Sequence, residues 1–153
     1  MHLYVVRHGK AGSRRDWDGP DHKRPLSKKG RRQADALVGL LFDKGVERVL
    51  SSPFVRCVET VEPLADKLGL HVEIAETLAE GARTKDAMGL VRSLEVNAVL
   101  CSHGDVVPKI LDALADQDGL DLPPDYPYAK GSTWDLLAEA GKYVQASYIA
   151  PPA

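Results

Sequence analysis

The chain offers little that could staple or anchor it. Only two cysteines occur, Cys57 and Cys101, each beside an apolar neighbour such as Val58 or Leu100, so no disulfide framework is available and both read as buried thiols in a reducing compartment. No apolar run approaches the ~20 residues of a membrane span, and the short stretch Leu3 to Val6 before Arg7 is too brief for the apolar region of a secretory signal. A dominant charge is missing too. With 20 basic and 22 acidic residues the net charge is -2, which excludes a global field that would draw nucleic acid or an anionic membrane. The histidines, His2, His8, His22, His71 and His103, show no ligand spacing, and neither cysteine has a partner at zinc-motif distance, so no metal and no cofactor is expected. These absences predict a soluble, cytoplasmic single domain over residues 1–153 whose affinity for anions is local.

Short β-branched runs alternate with helical patterns, which predicts an α/β layered domain around a mostly parallel sheet. Strands are expected at Leu3 to Val6, Val46 to Leu50, Val72 to Ala75 and Ala98 to Cys101. Helices are expected from Ser27 to Gly45, from Ser52 as N-cap with Pro53 at the first helical position to Gly69, from Thr84 to Leu94 and from Val106 to Leu114. The cations Lys28, Lys29, Arg31 and Arg32 at the start of the first helix oppose its dipole. Gly9 to Pro25 and Asp116 to Tyr128 read as polar loops, and Thr133 to Leu137 with Tyr143 to Ile149 as a closing hairpin across Glu139 to Gly141. Trp17, Trp134 and the tyrosines read as packing groups.

Three polar clusters share one topological position. Arg7-His8-Gly9, Ser51-Ser52-Pro53 with Arg56, and Ser102-His103-Gly104 each fall at the C-terminal end of an expected strand, the edge at which open α/β sheets bind ligands. Arg7 and Arg56 supply planar, bidentate donors for phosphate oxygens, and a neutral imidazole, His8 or His103, can act as a covalent nucleophile. Gly9 and Gly104 would let the backbone approach a ligand closely. Helix N-termini after Ser52 and Gly104 would add oriented N–H groups. Together these make a compact cationic pocket suited to a phosphoryl group.

These segments resemble the histidine phosphatase superfamily, whose defining Arg-His-Gly follows the first strand as Arg7-His8-Gly9 does here. Ser51-Ser52-Pro53-Phe54-Val55-Arg56-Cys57-Val58-Glu59-Thr60 resembles its Ser-Ser-Pro-x-x-Arg-x-x-x-Thr segment, Ser102-His103-Gly104 its second histidine motif, and Arg24-Pro25-Leu26-Ser27 with Gly30, Gln33 and Ala34 the opening of its first helix. The resemblance implies a three-layer α/β/α sandwich of the phosphoglycerate mutase-like kind and metal-independent phosphoryl transfer. It implies that His8 becomes phosphorylated while Arg7, Arg56 and His103 hold the phosphoryl oxygens, and that Glu80 in Leu78-Ala79-Glu80-Gly81 protonates the leaving oxygen. Asp16, Asp21 and Asp105 are the fallback carboxylates. Lys10, Arg14, Arg15, Lys23 and Arg24 of the long loop read as a substrate-recognising rim, with a solvated surface as the alternative.

Little chain lies between Val61 and Asn97 for the lid of longer relatives. That brevity, Lys10-Ala11 and Arg24-Pro25-Leu26 look most like the SixA-type phosphohistidine phosphatases, and the chain also resembles a phosphatase-like domain that some bacteria fuse to a Nudix hydrolase. The expected partner is a phosphorylated protein or a small phosphorylated substrate. Glu80 and Gly9 depart from the SixA-type pattern, which commonly lacks the glutamate and has Ala for the glycine, so a small phosphomonoester or nucleotide is the alternative. The rival of another class is a non-catalytic phosphate-binding regulatory module. Oligomeric state is left open.

Overall fold

The structure, a computed structural model, describes residues 1–152. Its elements follow in the order β1 (His2–Arg7), α1 (Lys28–Leu41), β2 (Arg48–Ser51), α2 (Val55–Leu68), β3 (Val72–Ile74), α3 (Thr84–Ser93), β4 (Ala98–Ser102), α4 (Val106–Asp118), β5 (Thr133–Glu139) and β6 (Lys142–Ile149). Short 3-10 turns occupy Asp21–Lys23 and Glu76–Leu78. The six strands form one mixed sheet in the order β3-β2-β4-β1-β5-β6, with β1 to β4 mutually parallel and β5 and β6 added antiparallel at one edge.

Alternating side chains send each buried strand into two cores, as a sheet covered on both faces requires. Leu3, Val5, Leu50, Ala98 and Leu100 pack with Met88 and Val91 of α3 and Val107, Ile110 and Leu114 of α4. Tyr4, Val6, Val49, Val99 and Cys101 pack with Leu37 and Leu41 of α1 and Cys57, Val61 and Leu64 of α2. This is the expected α/β/α sandwich. Because β2, β4 and β1 are adjacent and parallel, the residues following them emerge side by side at one edge.

Three local expectations shift. α2 begins at Val55, with Phe54 and not Ser52 at the N-cap position; Ser52 is fully buried and its hydroxyl is engaged with His103. α4 runs past Leu114 to Asp118 and stops where Gly119 turns left-handed at φ 70°, shortening the expected loop. The long Gly9 to Pro25 segment is tied down by an Ala11–Leu26 bridge and by the turn at Asp21–Lys23. No helix among the described residues is long and apolar enough to cross a membrane.

The closing hairpin turns through Ala140 and Gly141, both at positive φ, 51° and 79°, between the paired Glu139 and Lys142. That backbone suits asparagine or glycine at its first position and penalises the Cβ of alanine. Ala140→Asn is therefore expected to raise stability by about 0.5–1 kcal/mol, read by chemical denaturation.

Candidate active site

The Arg7-His8-Gly9 turn is held from three sides. The Arg7 amide donates to Ser132 O and the His8 amide to Ser102 O, each at 3.1 Å, while the Gly9 amide donates to Thr60 Oγ1 at 3.0 Å. Thr60 Oγ1 in turn donates to Arg56 O at 2.7 Å, which joins this turn to α2. The His8 ring is 7% exposed, and its Nδ1 lies 2.7 Å from Gly9 O. A carbonyl only accepts, so Nδ1 carries the proton and Nε2 keeps a free lone pair. Burial first, then the nearby His103, Arg56 and Arg7, pull the His8 pKa down to about 3 against the opposing pull of the Gly9 hydrogen bond. The ring is thus neutral throughout the physiological range, as a nucleophile requires.

Arg56 is almost fully buried yet must remain charged. Its Nη1 donates to Asp21 O at 3.0 Å and its Nη2 to Asp21 Oδ2 at 3.1 Å, with Glu80 Oε1 3.5 Å away and the Phe54 ring beneath it. Arg7 Nη1 donates to Tyr128 O at 3.0 Å. His103 stands behind His8, ring centroids 5.4 Å apart, with its Nε2 2.8 Å from Ser52 Oγ and 3.5 Å from Cys57 Sγ. Arg7 Nε, Arg56 Nε and His103 Nδ1 are buried polar atoms with no hydrogen-bond partner among the described residues. All three belong to groups whose field acts on His8.

One cleft of about 820 Å³ gathers these groups: Arg7, His8, Arg56, Glu80 and Gly104 all line it. His103, buried behind, does not. The two glycines differ from expectation. A Cβ on Gly9 would meet Gln33 Oε1 at 3.1 Å and Gly30 O at 3.2 Å, and one on Gly104 would meet Arg7 Nη2 at 2.6 Å. Both make room for protein groups, although Gly104 also borders the cleft.

The carboxylates separate by environment. Asp21 is ion-paired to Arg24, Arg56 and, at 3.8 Å, Arg14; burial raises its pKa, but its bonds to Arg24 and Arg56 outweigh that and hold the carboxyl below the usual range. Such a group anchors the loop and is a poor proton donor. Asp105 lines the cleft, and its Oδ2 accepts the Gly81 amide at 2.8 Å, which fixes the turn that presents Glu80. Asp16 is exposed and lies outside the cleft. Of the expected rim, Lys10, Arg14 and Arg24 line the cleft while Arg15 and Lys23 do not. Lys130 lines it without having been expected. The only cue to it was the turn-forming Lys130-Gly131-Ser132 before β5. Among the described residues no three His, Cys, Asp or Glu side chains come together as a metal site.

Residues 3–86 match the family model of the histidine phosphatase superfamily (branch 1), and the chain belongs to that superfamily. It is similar to the 8-oxo-(d)GTP phosphatase of Mycolicibacterium smegmatis, 38% identical over 98% of this chain, and spans about half, 48%, of that relative's length. Among solved structures it is similar to the putative phosphohistidine phosphatase SixA from Agrobacterium tumefaciens, with TM-score 0.78, 22% identity and 98% and 97% of the two chains covered. It is similar in fold also to mycobacterial glucosyl-3-phosphoglycerate phosphatase, with TM-score 0.74, 18% identity and 97% of each chain covered.

The depressed His8 pKa carries a sign. An ordinary histidine in the unfolded chain takes up a proton near pH 6.5, before the folded one does, so the neutral His8 stabilises the fold above that pH and the contribution drains away as pH falls toward about 3. Relative to His8→Asn, wild-type stability is expected to decline by about 1.4 kcal/mol per pH unit below about pH 6.5. Urea unfolding of both proteins from pH 7 to 4.5 checks this; parallel curves would contradict it.

Proposed function

We propose that this chain is a metal-independent phosphatase that carries the phosphoryl group of a small phosphorylated molecule on His8 Nε2. The observation that supports it most is the neutral, buried His8 ring with its proton fixed on Nδ1, beside two guanidiniums in one open cleft. In the first step the Nε2 lone pair forms a P–N bond as the P–O bond to the leaving group breaks, and the leaving oxygen takes a proton from Glu80. In the second, water attacks phosphorus, the P–N bond breaks with its electron pair returning to Nε2, and Glu80 accepts the proton from water. Arg7 and Arg56 stabilise the charge spread over the phosphoryl oxygens, while His103 backs the His8 ring from within the protein.

A carboxylic acid is needed when the leaving group is an alkoxide and less when it is the imidazole of a phosphohistidine. Glu80 at the cleft, 3.5 Å from Arg56, therefore favours an ester or anhydride of a small molecule over phosphohistidine on a protein. Two of the similar proteins are likewise named for small phosphorylated compounds, 8-oxo-(d)GTP and glucosyl-3-phosphoglycerate.

His8→Asn is expected to lower kcat/KM for p-nitrophenyl phosphate by about 10⁴-fold or more, with excess chelator leaving the wild type unchanged. Glu80→Gln should cost about 100-fold on an alkyl phosphate and far less on the nitrophenyl ester, whose leaving group needs no proton. Full activity in His8→Asn would refute the nucleophile. Faster turnover of a phosphohistidine-bearing phosphotransfer domain than of every small ester would refute the substrate class.

A further inference from the structure

The cleft is more cationic than one phosphoryl group requires. Beyond Arg7 and Arg56 it is lined by Lys10, Arg14, Arg24 and Lys130, against only Glu80 and Asp105. Arg14 and Arg24 share Asp21, but among the described residues no carboxylate pairs with Lys10 or Lys130. Burial, and then the field of Arg7, Arg24, Lys10 and Arg14, lowers the pKa of Lys130, so these cations repel one another in one small volume. Such crowding costs stability unless a multiply charged anion offsets it.

The two lysines are also fastened in place by a common group. The buried Gln33 of α1 accepts the Lys10 amide on Oε1 at 2.9 Å and donates from Nε2 to Lys130 O at 3.4 Å. Gly131 next to Lys130 turns at φ 83°, and a Cβ there would strike the Gln33 amide at 2.9 Å, while a Cβ on Gly30 would stand 2.1 Å from Lys10 O. The backbones bearing the two lysines are thus both packed onto the start of α1. Both side chains are exposed and line the cleft.

We propose that Lys10 and Lys130, positioned together by Gln33, form a second phosphate subsite, so that the substrate is an organic diphosphate such as a nucleoside diphosphate, its terminal phosphoryl at His8 and its inner phosphate between the two lysines. The inference rests on the phosphatase reading above and sharpens its substrate class. A cleft of about 820 Å³ has the capacity of a small-molecule site, which favours a diphosphate held within it over an acidic protein surface laid across it.

Calorimetry with methylenediphosphonate and methylphosphonate, which no phosphatase step can cleave at the bridging carbon, reads the subsite without turnover. On the wild type the diphosphonate is expected to bind at least about 10-fold more tightly, and in Lys10→Gln/Lys130→Gln the preference should shrink to within about 3-fold through loss of diphosphonate affinity, with methylphosphonate still binding. Equal affinity for the two ligands on the wild type, or a preference that survives in the double variant, would overturn the subsite. So would a double variant impaired only toward a phosphohistidine-bearing protein, which would assign the lysines to an acidic partner. Absence of nitrophenyl phosphate turnover in the wild type would instead count against the phosphatase reading and leave the binding result standing.

Discussion

A guanidinium cannot shed its charge, and the structure buries one. Arg56 is 1% exposed, so its position obliges the chain to bring it acceptors. Asp21 supplies a backbone oxygen and a carboxylate oxygen, and in doing so pulls the long polar segment after β1 over the mouth of the site. The same carboxylate takes Arg24, whose Nη1 donates to Gly12 O, so one aspartate shapes the loop that carries Lys10 and Arg14. Glu80 approaches the same Nη2 of Arg56 that meets the Asp21 carboxylate, and its turn is tied through Gly81 to Asp105 at the start of α4. The cleft wall is thus organised around one charge that has to be satisfied.

The fold answers a second demand with the same few elements. A nucleophilic imidazole must be neutral, while transition-state stabilisation wants positive charge close by. Burial and the two arginines both push His8 toward neutrality, so the demands reinforce each other. The proton is directed to Nδ1 by the carbonyl of Gly9, a local contact built into the turn. Glycines 9 and 104 serve that compactness by leaving space for Gln33 and Arg7.

Much of this was legible in the sequence because it is local or periodic. The β-branched runs of β1 and β4 and the apolar spacing of α1 and α2 announce the sandwich, and the Arg-His-Gly, Ser-Ser-Pro and Ser-His-Gly clusters sit where strand ends put them. What escaped depends on long-range pairing. Asp21 meets Arg56 across 35 residues and Gln33 meets Lys130 across 97, and neither pairing has a spacing rule. From sequence, Asp21 therefore reads as a spare acid, and nothing singles out Lys130. Ser52 reads as a helix cap because Ser-Pro usually is one; its hydroxyl does accept the Phe54 amide just before α2, but it is shared with the buried His103, which no spacing rule announces.

The central claim is that phosphate leaves the substrate by way of a covalent bond to His8. Rapid acid-free quenching during turnover of a labelled phosphomonoester, followed by peptide mapping, tests it most directly. The account predicts a phosphoenzyme that is stable in alkali, labile in acid and carried on the peptide containing His8. Label on a serine, an aspartate or Cys57, or full turnover with no phosphoenzyme formed, would contradict it.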